Sequence, residues 1–252
     1  MSKDFTLEKY EAFLKSAIEH GYQLVSYQKY LNNKFDKVLI LRHDVDKNPL
    51  NSLRTAQLQH NLGVTGTYYF RAVTESFDPE IIKKIAALGH EIGYHYEDLT
   101  LCKGDYEKAI VHFEKWLERL RFYYPVKTVC MHGSPMSKYD NRKLWDKYDY
   151  KSYDLIAEPY FDIDFNKVFY ITDTGRKWDG NKVSVRDKVA SKFDLSFHST
   201  DELIAAFNEN KLPNQIMQNI HPQRWSNNRL EWMQELILQS IKNSIKKALF
   251  VK

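Results

Sequence analysis

The stretch Val38-Leu39-Ile40-Leu41-Arg42-His43-Asp44-Val45-Asp46 decides how this chain folds. Four aliphatic residues that favour a β-strand are followed at once by side chains that can bind a metal or move a proton. A buried parallel strand that delivers carboxylates at its C-terminal end is typical of β/α barrels. Side chains alternate along a strand, so Arg42, Asp44 and Asp46 should share one face and His43 the other. Two carboxylates on one face repel each other unless a cation or a proton lies between them, which makes this strand end a candidate site.

Predicted strands and helices alternate along most of the chain. The clearest helix has Asp78 as its cap and Pro79 at its first position, and Gly89 ends it. Helices of this kind between strands form βαβ units with a parallel sheet. We therefore predict an α/β fold, a distorted parallel (β/α) barrel of about seven or eight strands. Besides the opening strand, the predicted strands cover residues 65–70, 90–95, 128–131, 168–172, 194–197 and 215–220.

The 252 residues are predicted to form one domain, since no linker or internal repeat divides them and β/α barrels of this length are commonly single domains. Residues 1–35 are expected to be an N-terminal helical extension packed on the barrel, with a first helix capped by Thr6 and ended by Gly21. A last helix, from about residue 228, is expected to bury an apolar stripe. That stripe consists of Leu230, Met233, Ile237, Ile241 and Ile245.

The charge of the chain is mildly basic, with a formal net charge of +4 and a pI of about 8.7. Lysines and arginines are interleaved with acidic residues and form no stripe, so we expect no nucleic-acid partner. A basic cleft that suits an anionic substrate, such as a sugar nucleotide, stays open as an alternative to an ordinary solvated surface.

The cysteines and the N-terminus bear on the compartment. Cys102 and Cys130 are the only cysteines in the sequence, too few for a disulfide framework, which favours a reducing compartment. The first residues contain no apolar signal core, and no stretch approaches the length of a membrane span. We therefore predict a cytoplasmic protein that has no membrane span.

Histidines collect at the ends of the predicted strands. Any single one of them is more simply explained as a structural side chain, but five at equivalent positions are harder to dismiss. In a parallel barrel these ends meet on one face, so with Asp44 and Asp46 they offer the nitrogen and oxygen ligands that Zn, Fe, Ni or Co prefer. The five are His43, His95, His132, His198 and His221.

A second segment, Gly89-His90-Glu91-Ile92-Gly93-Tyr94-His95, carries a specific resemblance together with Arg42-His43-Asp44-Val45-Asp46. The two motifs resemble those of the polysaccharide deacetylase family, the NodB-type carbohydrate esterases of family 4, and are most similar to its WbmS-like branch, which is associated with surface-polysaccharide loci. The order of elements agrees over most of residues 35–225. The resemblance implies a distorted β/α barrel that removes N- or O-acetyl groups with one divalent metal, Zn or else Ni, Co or Fe.

The resemblance also implies roles for individual residues. The first motif would make Asp44 the catalytic base and Asp46 a metal ligand, and the second would make His95 another ligand. A late motif, an apolar residue followed by histidine, matches Ile220-His221, and His221 would then protonate the leaving amine. Helix-capping or turn roles for the two aspartates, and a backbone-bonded histidine at position 221, are the structural alternatives.

The motif pattern breaks at Leu99, where the family carries a second metal-binding histidine. Two ligands hold a metal poorly, because catalytic metal sites generally use three protein ligands. We hypothesise that His132, at the end of a neighbouring predicted strand, supplies the missing imidazole. Glu97 and Asp98 are the alternative ligands, although exposed turn acids are the commoner interpretation of such residues.

Several other side chains are candidates for binding the substrate. The cations Arg42 and Arg71 could also keep Asp44 ionised. Tryptophan faces stack on sugar rings, although a buried, structural tryptophan is an equally good interpretation. The candidates are Arg42, Arg71, Trp178, His198, Arg224 and Trp225.

Two classes of function follow from these residues. In the first, the protein is a metal-dependent hydrolase that removes an acetyl or other small acyl group from an N-acylated sugar or sugar nucleotide, a precursor of a surface polysaccharide. In the second, it is a metal-free barrel that binds sugar or serves as a scaffold, a pseudoenzyme. The loss of a histidine at Leu99 favours the second class. Acids and imidazoles retained at several strand ends favour the first.

Overall fold

One parallel β-sheet forms the centre of the computed structural model, which describes residues 3–178, 186 and 188–250. Seven strands belong to this sheet within those residues. They are β1 (Gln23–Val25), β2 (Val38–Val45), β3 (Thr67–Phe70), β4 (Glu91–Tyr96), β5 (Val129–Met131), β6 (Phe169–Thr172) and β7 (Gln215–Ile220).

The strands follow one another around the sheet in the order β5-β4-β3-β2-β7-β6. Strand β2 is central: β7 pairs with one edge, while β1 and β3 pair with successive parts of the other edge, β1 with residues 38–40 and β3 with residues 42–45. The order is that of a barrel cut open between β5 and β6. At this opening Ala157 pairs with Thr128 in a single parallel bridge beside β5. The prediction of an α/β fold with a distorted parallel barrel is thus confirmed.

Helices cover the outer face of the sheet. Leu39 and Leu41 of β2 pack there against residues of the first and eighth helices, whereas Val38 and Ile40 pack into a separate cluster on the inner face. The helices are α1 (Leu7–Glu19), α2 (Tyr27–Asn32), α3 (Pro49–Asn61), α4 (Pro79–Ala87), α5 (Asp98–Leu101), α6 (Tyr106–Arg121), α7 (Pro159–Asp162), α8 (Thr200–Asn208) and α9 (Arg229–Phe250). In the part of the chain that is described, none of them combines the length and the apolar character needed to cross a membrane.

The helix caps read from the sequence are present. The Thr6 hydroxyl accepts a hydrogen bond from the amide of Lys9 at 3.1 Å and so caps α1. The Asp78 carboxylate accepts from the amide of Ile81 at 3.1 Å and caps α4, with Pro79 at the first helical position. These caps satisfy backbone donors that the first turn of a helix leaves unpaired.

Three sequence predictions about the fold were wrong in part. Residues 194–197 form no strand: Phe197 packs on Phe169 of β6, but the backbone of the segment pairs with no strand and runs irregularly towards α8. Residues 1–35 are not purely helical, since β1 lies among them and joins the sheet. The apolar stripe of α9 is exposed rather than buried, because the helix turns its polar face to the protein.

The inner face of the sheet is apolar at one end of the strands and polar at the other. In β2, apolar Val38 and Ile40 are followed on the same face by Arg42 and Asp44, and all four are buried. Because all strands are parallel, their C-terminal ends meet at the same rim of the barrel. The polar residues of the strands therefore gather at that rim above an apolar base.

Gly93 of β4 lies where the inner face has no room for a side chain. A Cβ atom on Gly93 would stand 2.9 Å from the backbone oxygen of Thr128 and would overlap the ring of Tyr69. That ring is buried, and its hydroxyl is within 3.0 Å of the Thr128 hydroxyl. Gly93 therefore lets the Tyr69 ring cross β4 two residues before His95.

We expect the Gly93→Ala substitution to lower the free energy of unfolding by about 1–3 kcal/mol, since overpacking forces buried groups to shift. Urea unfolding monitored by circular dichroism measures the change. Gly133→Ala is the matched control, because among the described residues its added Cβ would meet nothing closer than the Arg186 Cβ at 3.7 Å. Equal losses in the two variants would contradict a close approach specific to Gly93.

Two buried histidines support the outer layer and lie outside the rim. His43 points outward, stacks on Tyr68 with ring centroids 4.1 Å apart, and donates from Nδ1 to the Thr67 carbonyl at 2.9 Å. His90 accepts from the Gly66 amide at 3.0 Å and donates to the Ala56 carbonyl at 2.9 Å. Burial lowers the pKa of His43 to about 3 and that of His90 to about 4. His43 is therefore a structural residue, and the grouping of it with the strand-end ligands was wrong.

Acid should destabilise the fold through these histidines. Below its ordinary pKa of 6.5 the unfolded imidazole binds a proton, whereas folded His90 stays neutral down to a pKa of about 4. Stability is therefore lost as the pH falls through this window, by up to about 1.4 kcal/mol per pH unit for each such histidine. We expect His90→Gln to make the pH dependence of the unfolding free energy shallower by up to this amount. Urea unfolding with a chelator present, between about pH 6.5 and about pH 5, measures the slope, and equal slopes in both proteins would refute the assignment.

Candidate metal centre and active site

Three of the predicted ligands meet at the rim of the barrel. Asp46 directly follows β2, His95 lies in β4 and His132 directly follows β5. The Asp46 Oδ1 atom is 3.6 Å from the His95 Nε2 atom and 3.5 Å from the His132 Nε2 atom. The ligand atoms of these three residues all lie within 4.8 Å of one another. The structure thus brings His132 to the place where the sequence lacked a third ligand.

The surroundings of the Asp46 carboxylate fit a cation. Its Oδ1 atom is buried and has no hydrogen-bond partner among the described residues, which is costly for a charged oxygen. The distances of 3.5 and 3.6 Å to the imidazoles are too long for hydrogen bonds. They are close to the ~3.4 Å that separates two ligands of a tetrahedral ion with bonds of about 2.1 Å. One carboxylate and two imidazoles are a donor set that suits divalent Zn, Ni, Co or Fe.

Each imidazole is oriented by an acceptor on its far side. His95 donates from Nδ1 to the Cys130 carbonyl at 2.9 Å, and His132 donates from Nδ1 to the Glu97 carboxylate at 2.8 Å. Because Nδ1 carries the proton in both rings, the lone pair of each Nε2 atom faces Asp46. Partners of this kind fix the tautomer and the ring orientation of metal-binding histidines.

Glu97 connects His132 to the rest of the rim. It accepts hydrogen bonds from Arg71 Nε at 2.7 Å and from the Ser134 hydroxyl at 3.0 Å. Burial alone would raise the pKa of Glu97, but the hydrogen bond from His132 and the charge of Arg71 lower it to about 2. Glu97 is therefore a charged residue that holds a candidate ligand.

The two residues after Glu97 do not reach the rim. Leu99 is buried in the outer core, so nothing at this position can contact a metal. Asp98 is fully buried and accepts a hydrogen bond from the Tyr94 hydroxyl at 2.8 Å, next to His112. The alternative of Asp98 as a ligand is thus wrong, because its carboxylate lies on the helix side of the sheet.

Asp44 lies beside the ligand cluster and is held on two sides. Arg42 donates to both of its oxygens, from Nε at 2.9 Å and from Nη2 at 2.7 Å, and Asn219 Nδ2 donates to Oδ2 at 2.9 Å. The same Oδ2 atom is 3.6 Å from His95 Nε2. Burial alone would raise the pKa of Asp44, but Arg42 and His95 hold it below its ordinary value. Asp44 is thus an oriented, ionised carboxylate next to the candidate metal centre.

His221 faces the same place from β7. Its Nε2 atom is 3.8 Å from Asp46 Oδ2, and its Nδ1 atom donates to Asp173 Oδ1 at 2.6 Å. Asp173 also accepts from Arg224 at 2.6 Å and from the Trp225 indole at 2.7 Å. Burial and Arg224 would lower the pKa of His221, but Asp173 raises it above its ordinary value.

Asp173 and Asn219 were missed in the sequence. Asp173 directly follows β6, so the rule that singled out strand-end histidines would have found it if applied to acids. Asn219 lies in β7 two residues before His221, on the same inner face. Both residues stand at positions that the strand-end rule could have pointed to. A residue that only orients another side chain, however, has no sequence motif of its own.

The predicted substrate-binding arginines have partners at the rim. Arg42 is fully buried beneath Asp44, so it supports that carboxylate and is closed off from the solvent. Arg71 pairs with Glu97 and also donates to the Asp46 carbonyl at 3.0 Å. Arg224 is buried against Asp173. Arg71 and Arg224 line the cavity at the mouth of the barrel, and Arg42 does not.

The other three predicted substrate-binding residues lie away from the rim. Trp178 and Trp225 are buried in the core cluster beneath α1, with ring centroids 5.9 Å apart, so neither ring has a face open to a sugar. His198 is exposed near the start of α8, where Nδ1 lies 3.2 Å from Glu202. It was grouped with the site because residues 194–197 were expected to form a strand.

A cavity of about 640 Å³ opens above the candidate centre. It has the size of a small-ligand pocket, for which about 300–1,000 Å³ is usual. Helix α9 forms one of its walls. Its lining includes Asp46, Lys47, Arg71, His132, Gln223 and Arg224 from the barrel, and Glu235, Gln239, Lys242 and Ile245 from α9.

No protein-family model matches the chain, and no curated protein matches it either. Among solved structures, the chain is similar to a CE4 family pseudoenzyme from Bacillus anthracis, with 12% identity over 85% of this chain and 63% of that one, at a TM-score of 0.47. It is also similar to a Streptococcus mutans CE4 esterase, with 13% identity over 90% of both chains and a TM-score of 0.47. A peptidoglycan N-acetylglucosamine deacetylase shares 18% identity over 82% of both chains, at a TM-score of 0.40.

These likenesses carry no residue roles across to this chain. The chain spans less than two thirds of the Bacillus anthracis protein, of which it covers 63%. Some of the matched structures are described as enzymes, and one is described as a pseudoenzyme. The comparison therefore does not decide between a hydrolase and a pseudoenzyme. The chemistry of the site therefore rests on the side chains described above.

Glu97 should control the affinity of the centre without touching the ion. We expect Glu97→Gln to weaken divalent-metal binding by about 10–100-fold, because His132 loses a charged acceptor for Nδ1. Isothermal titration with Zn or Ni measures the dissociation constant. The control is Glu75→Gln, an exposed acid that also lines the mouth but has no contact with the three ligands. An unchanged affinity in Glu97→Gln would show that His132 is not a ligand.

Proposed function

We propose that this chain is a divalent-metal-dependent hydrolase that removes a small acyl group, such as acetyl, from the nitrogen of an N-acylated sugar. The observation that carries the proposal is the buried Asp46 Oδ1 atom, which has no hydrogen-bond partner in the described part of the chain and lies 3.5 and 3.6 Å from two imidazole Nε2 atoms. The two motifs that resemble the polysaccharide deacetylase family support the same reaction.

The candidate ligands are Asp46, His95 and His132. When bound there, a divalent ion supplies polarisation of the amide carbonyl and a lower pKa for the attacking water. Only three ligands come from the protein, which leaves coordination positions open for water and substrate, as in other catalytic sites.

Asp44 is the proposed general base. Arg42 keeps it ionised and holds both of its oxygens, and Asn219 fixes Oδ2 from a second strand. An oriented carboxylate beside the centre can accept the proton of the water while the new bond to the acyl carbon forms.

His221 is the proposed general acid. Its Nδ1–H is held by Asp173, so its Nε2 atom faces the mouth of the barrel. As the C–N bond of the amide breaks, the proton from His221 goes to the departing nitrogen and gives a free amino sugar. The acyl group leaves as a carboxylate, such as acetate, so water and amide account for all atoms of the products.

The size and the charged lining of the cavity at the mouth of the barrel support a small, soluble molecule as the substrate. A cavity of about 640 Å³ accommodates a sugar or a sugar nucleotide, and Lys47, Arg71, Arg224 and Lys242 line it. We propose an N-acylated sugar or sugar nucleotide on the way to a surface polysaccharide, consistent with the WbmS-like motifs. Neither Cys102 nor Cys130 takes part in a disulfide in the described part of the chain, which supports action in the reducing cytoplasm.

We also propose that residues 1–252 act as one domain, with residues 1–35 packed on the barrel. Phe5 supports this, because it contacts Trp178 and Trp225 in one core cluster. Phe5 of the N-terminal segment thus packs in the same core as two tryptophans from later in the chain. Separate domains would each have a core of their own.

Metal content and activity test the proposal together. Purified protein supplied with Zn, Ni or Co should hold about one ion, and Asp46→Ala, His95→Ala and His132→Ala should each lose it. Release of acetate from N-acetyl sugar nucleotides should fall with the ion. Asp44→Asn should keep the metal and lose about 10²–10⁴-fold in rate, since the base is gone while the ligands stay. His198→Ala is the control, because that histidine is exposed and far from the rim.

The pseudoenzyme alternative makes the opposite prediction. A wild-type protein that takes up no ion and releases no acyl group, while still binding the sugar, would overturn the hydrolase and support a metal-free sugar-binding barrel. Full activity in Asp44→Asn would remove only the proposed base. Metal binding that survives in His132→Ala would remove His132 from the ligand set.

A further inference from the structure

Helix α9 turns its apolar side to the solvent. Leu230 is 74% exposed, Ile237 54% and Ile241 53%. These residues share one side of the helix with others of the same kind, since positions three and four apart lie on one face. The apolar face of α9 consists of Leu230, Met233, Ile237, Leu238, Ile241 and Ile245.

The opposite face of α9 is polar and attaches the helix to the barrel. The Lys47 ammonium is 2.8 Å from the buried Glu235 carboxylate. The Trp232 indole donates to the Asp4 carbonyl at 2.7 Å, and the Asn243 amide donates to the Gly175 carbonyl at 2.8 Å. A surface helix normally packs its apolar face on the core and leaves its polar face in water, so α9 is inverted.

The exposed apolar area of α9 is at the upper end of what a monomer usually presents to the solvent. The six side chains of the apolar face are between 42% and 74% exposed and together present on the order of 600 Å². The largest apolar patch of a monomeric protein is usually about 300–600 Å². A standard stable interface buries about 800 Å² on each partner, which this face with a polar rim nearly supplies.

The shape of the face is complementary to itself. Met233, Ile237, Ile241 and Ile245 are spaced by four residues and form a ridge of large side chains. Ser240 and Ser244 lie beside this ridge and leave a groove. Two ridges of this spacing pack into each other's grooves with the helices crossing at about −50°. A helix that presents both a ridge and an adjacent groove can pair with its own copy about a twofold axis.

The serine hydroxyls in the groove can be covered by a partner without losing their hydrogen bonds. The Ser240 hydroxyl donates to the Leu236 carbonyl at 2.7 Å, and the Ser244 hydroxyl donates to the Ser240 carbonyl at 3.0 Å. Both hydroxyl donors are satisfied within the helix, so covering them leaves no donor unpaired.

We infer that the apolar face of α9 is the interface of a homodimer in which two copies of α9 pack antiparallel. Glu231 and Glu235 are held by Arg54 and Lys47 on the polar face of the helix, so neither acid faces the second copy. A contact of one ridge and groove with its own copy about a twofold axis across the helix makes the two helices antiparallel. A lipid surface is a poorer occupant, because the apolar face has no aromatic anchor and Trp232 lies on the inner face.

The dimer contact lies directly behind one wall of the mouth cavity. Glu235, Gln239 and Lys242 of α9 line that cavity, and Ile245 at the edge of the apolar face reaches it as well, while the rest of the apolar face meets the second copy. The contact would therefore fix the position of a helix that the rest of the chain holds mainly through polar contacts. The second copy supports the wall of the cavity without supplying a ligand to the candidate centre.

Light scattering and sedimentation velocity of the full chain over micromolar concentrations test the inference. We expect a dimer, and we expect Ile237→Glu and Ile241→Glu each to weaken dimerisation by about 100-fold or more, because both copies bring a charge into an apolar contact. Val111→Glu is the matched control, since Val111 is a 63% exposed apolar residue on another helix, α6. Circular dichroism shows whether each variant stays folded, which is expected because all three positions are exposed.

Single cysteines test the geometry of the contact. Ser240→Cys lies beside the centre of the proposed interface, so a short bismaleimide should join two copies, whereas Val111→Cys should give no cross-linked dimer. A monomeric wild type would overturn the homodimer, and so would a dimer that survives both glutamate variants. A monomer that floats with vesicles of anionic phospholipid, and loses this binding in Ile237→Glu, would replace the second copy by a lipid surface.

Discussion

The two faces of β2 pack into two separate hydrophobic cores. This packing fixes which side chains of β2 point towards the mouth of the barrel. Leu39 and Leu41 belong to the core under the helices, and Val38 and Ile40 belong to the core inside the barrel. A shift of one residue would exchange the two sets and bury His43 inside while sending the carboxylates among the helices. The paired strands on both edges hold the register. The candidate metal centre thus depends on an alternation fixed by apolar residues at the other end of the strand.

The sequence predicted the features that depend on local periodicity and on strand ends. Alternation within β2 separated Asp44 and Asp46 from His43, and the structure has them on opposite faces. The expected parallel sheet required that strand ends meet, and together with the histidine missing at Leu99 this suggested His132 as the partner of His95. Such arguments succeed because in a parallel barrel the position along a strand is nearly a position in space.

The features that depend on distant partners could not be predicted. Trp178 and Trp225 were candidates for stacking on sugars, yet both rings fill the core beside Phe5, which is far away in the sequence. The pairing of Asp173 with His221 joins the ends of two strands across 48 positions in the sequence. For α9, periodicity gave the correct apolar face, but no periodicity tells whether that face meets the chain's own core. Residues 194–197 resembled a strand because Leu195 and Phe197 alternate with polar residues, and so short an alternation does not distinguish a strand from irregular chain.

The acidic side chains nearest the candidate centre have a simple pattern of partners. Three of the four contact an arginine: Asp44 with Arg42, Glu97 with Arg71, and Asp173 with Arg224. Asp46 is the fourth and has imidazoles in that place. Of these four carboxylates, Asp46 is thus the one that no arginine contacts in the described part of the chain, and it faces the three Nε2 atoms. The arginines thus keep the neighbouring acids from competing for a cation, and they direct it to a single carboxylate although none of them contacts it.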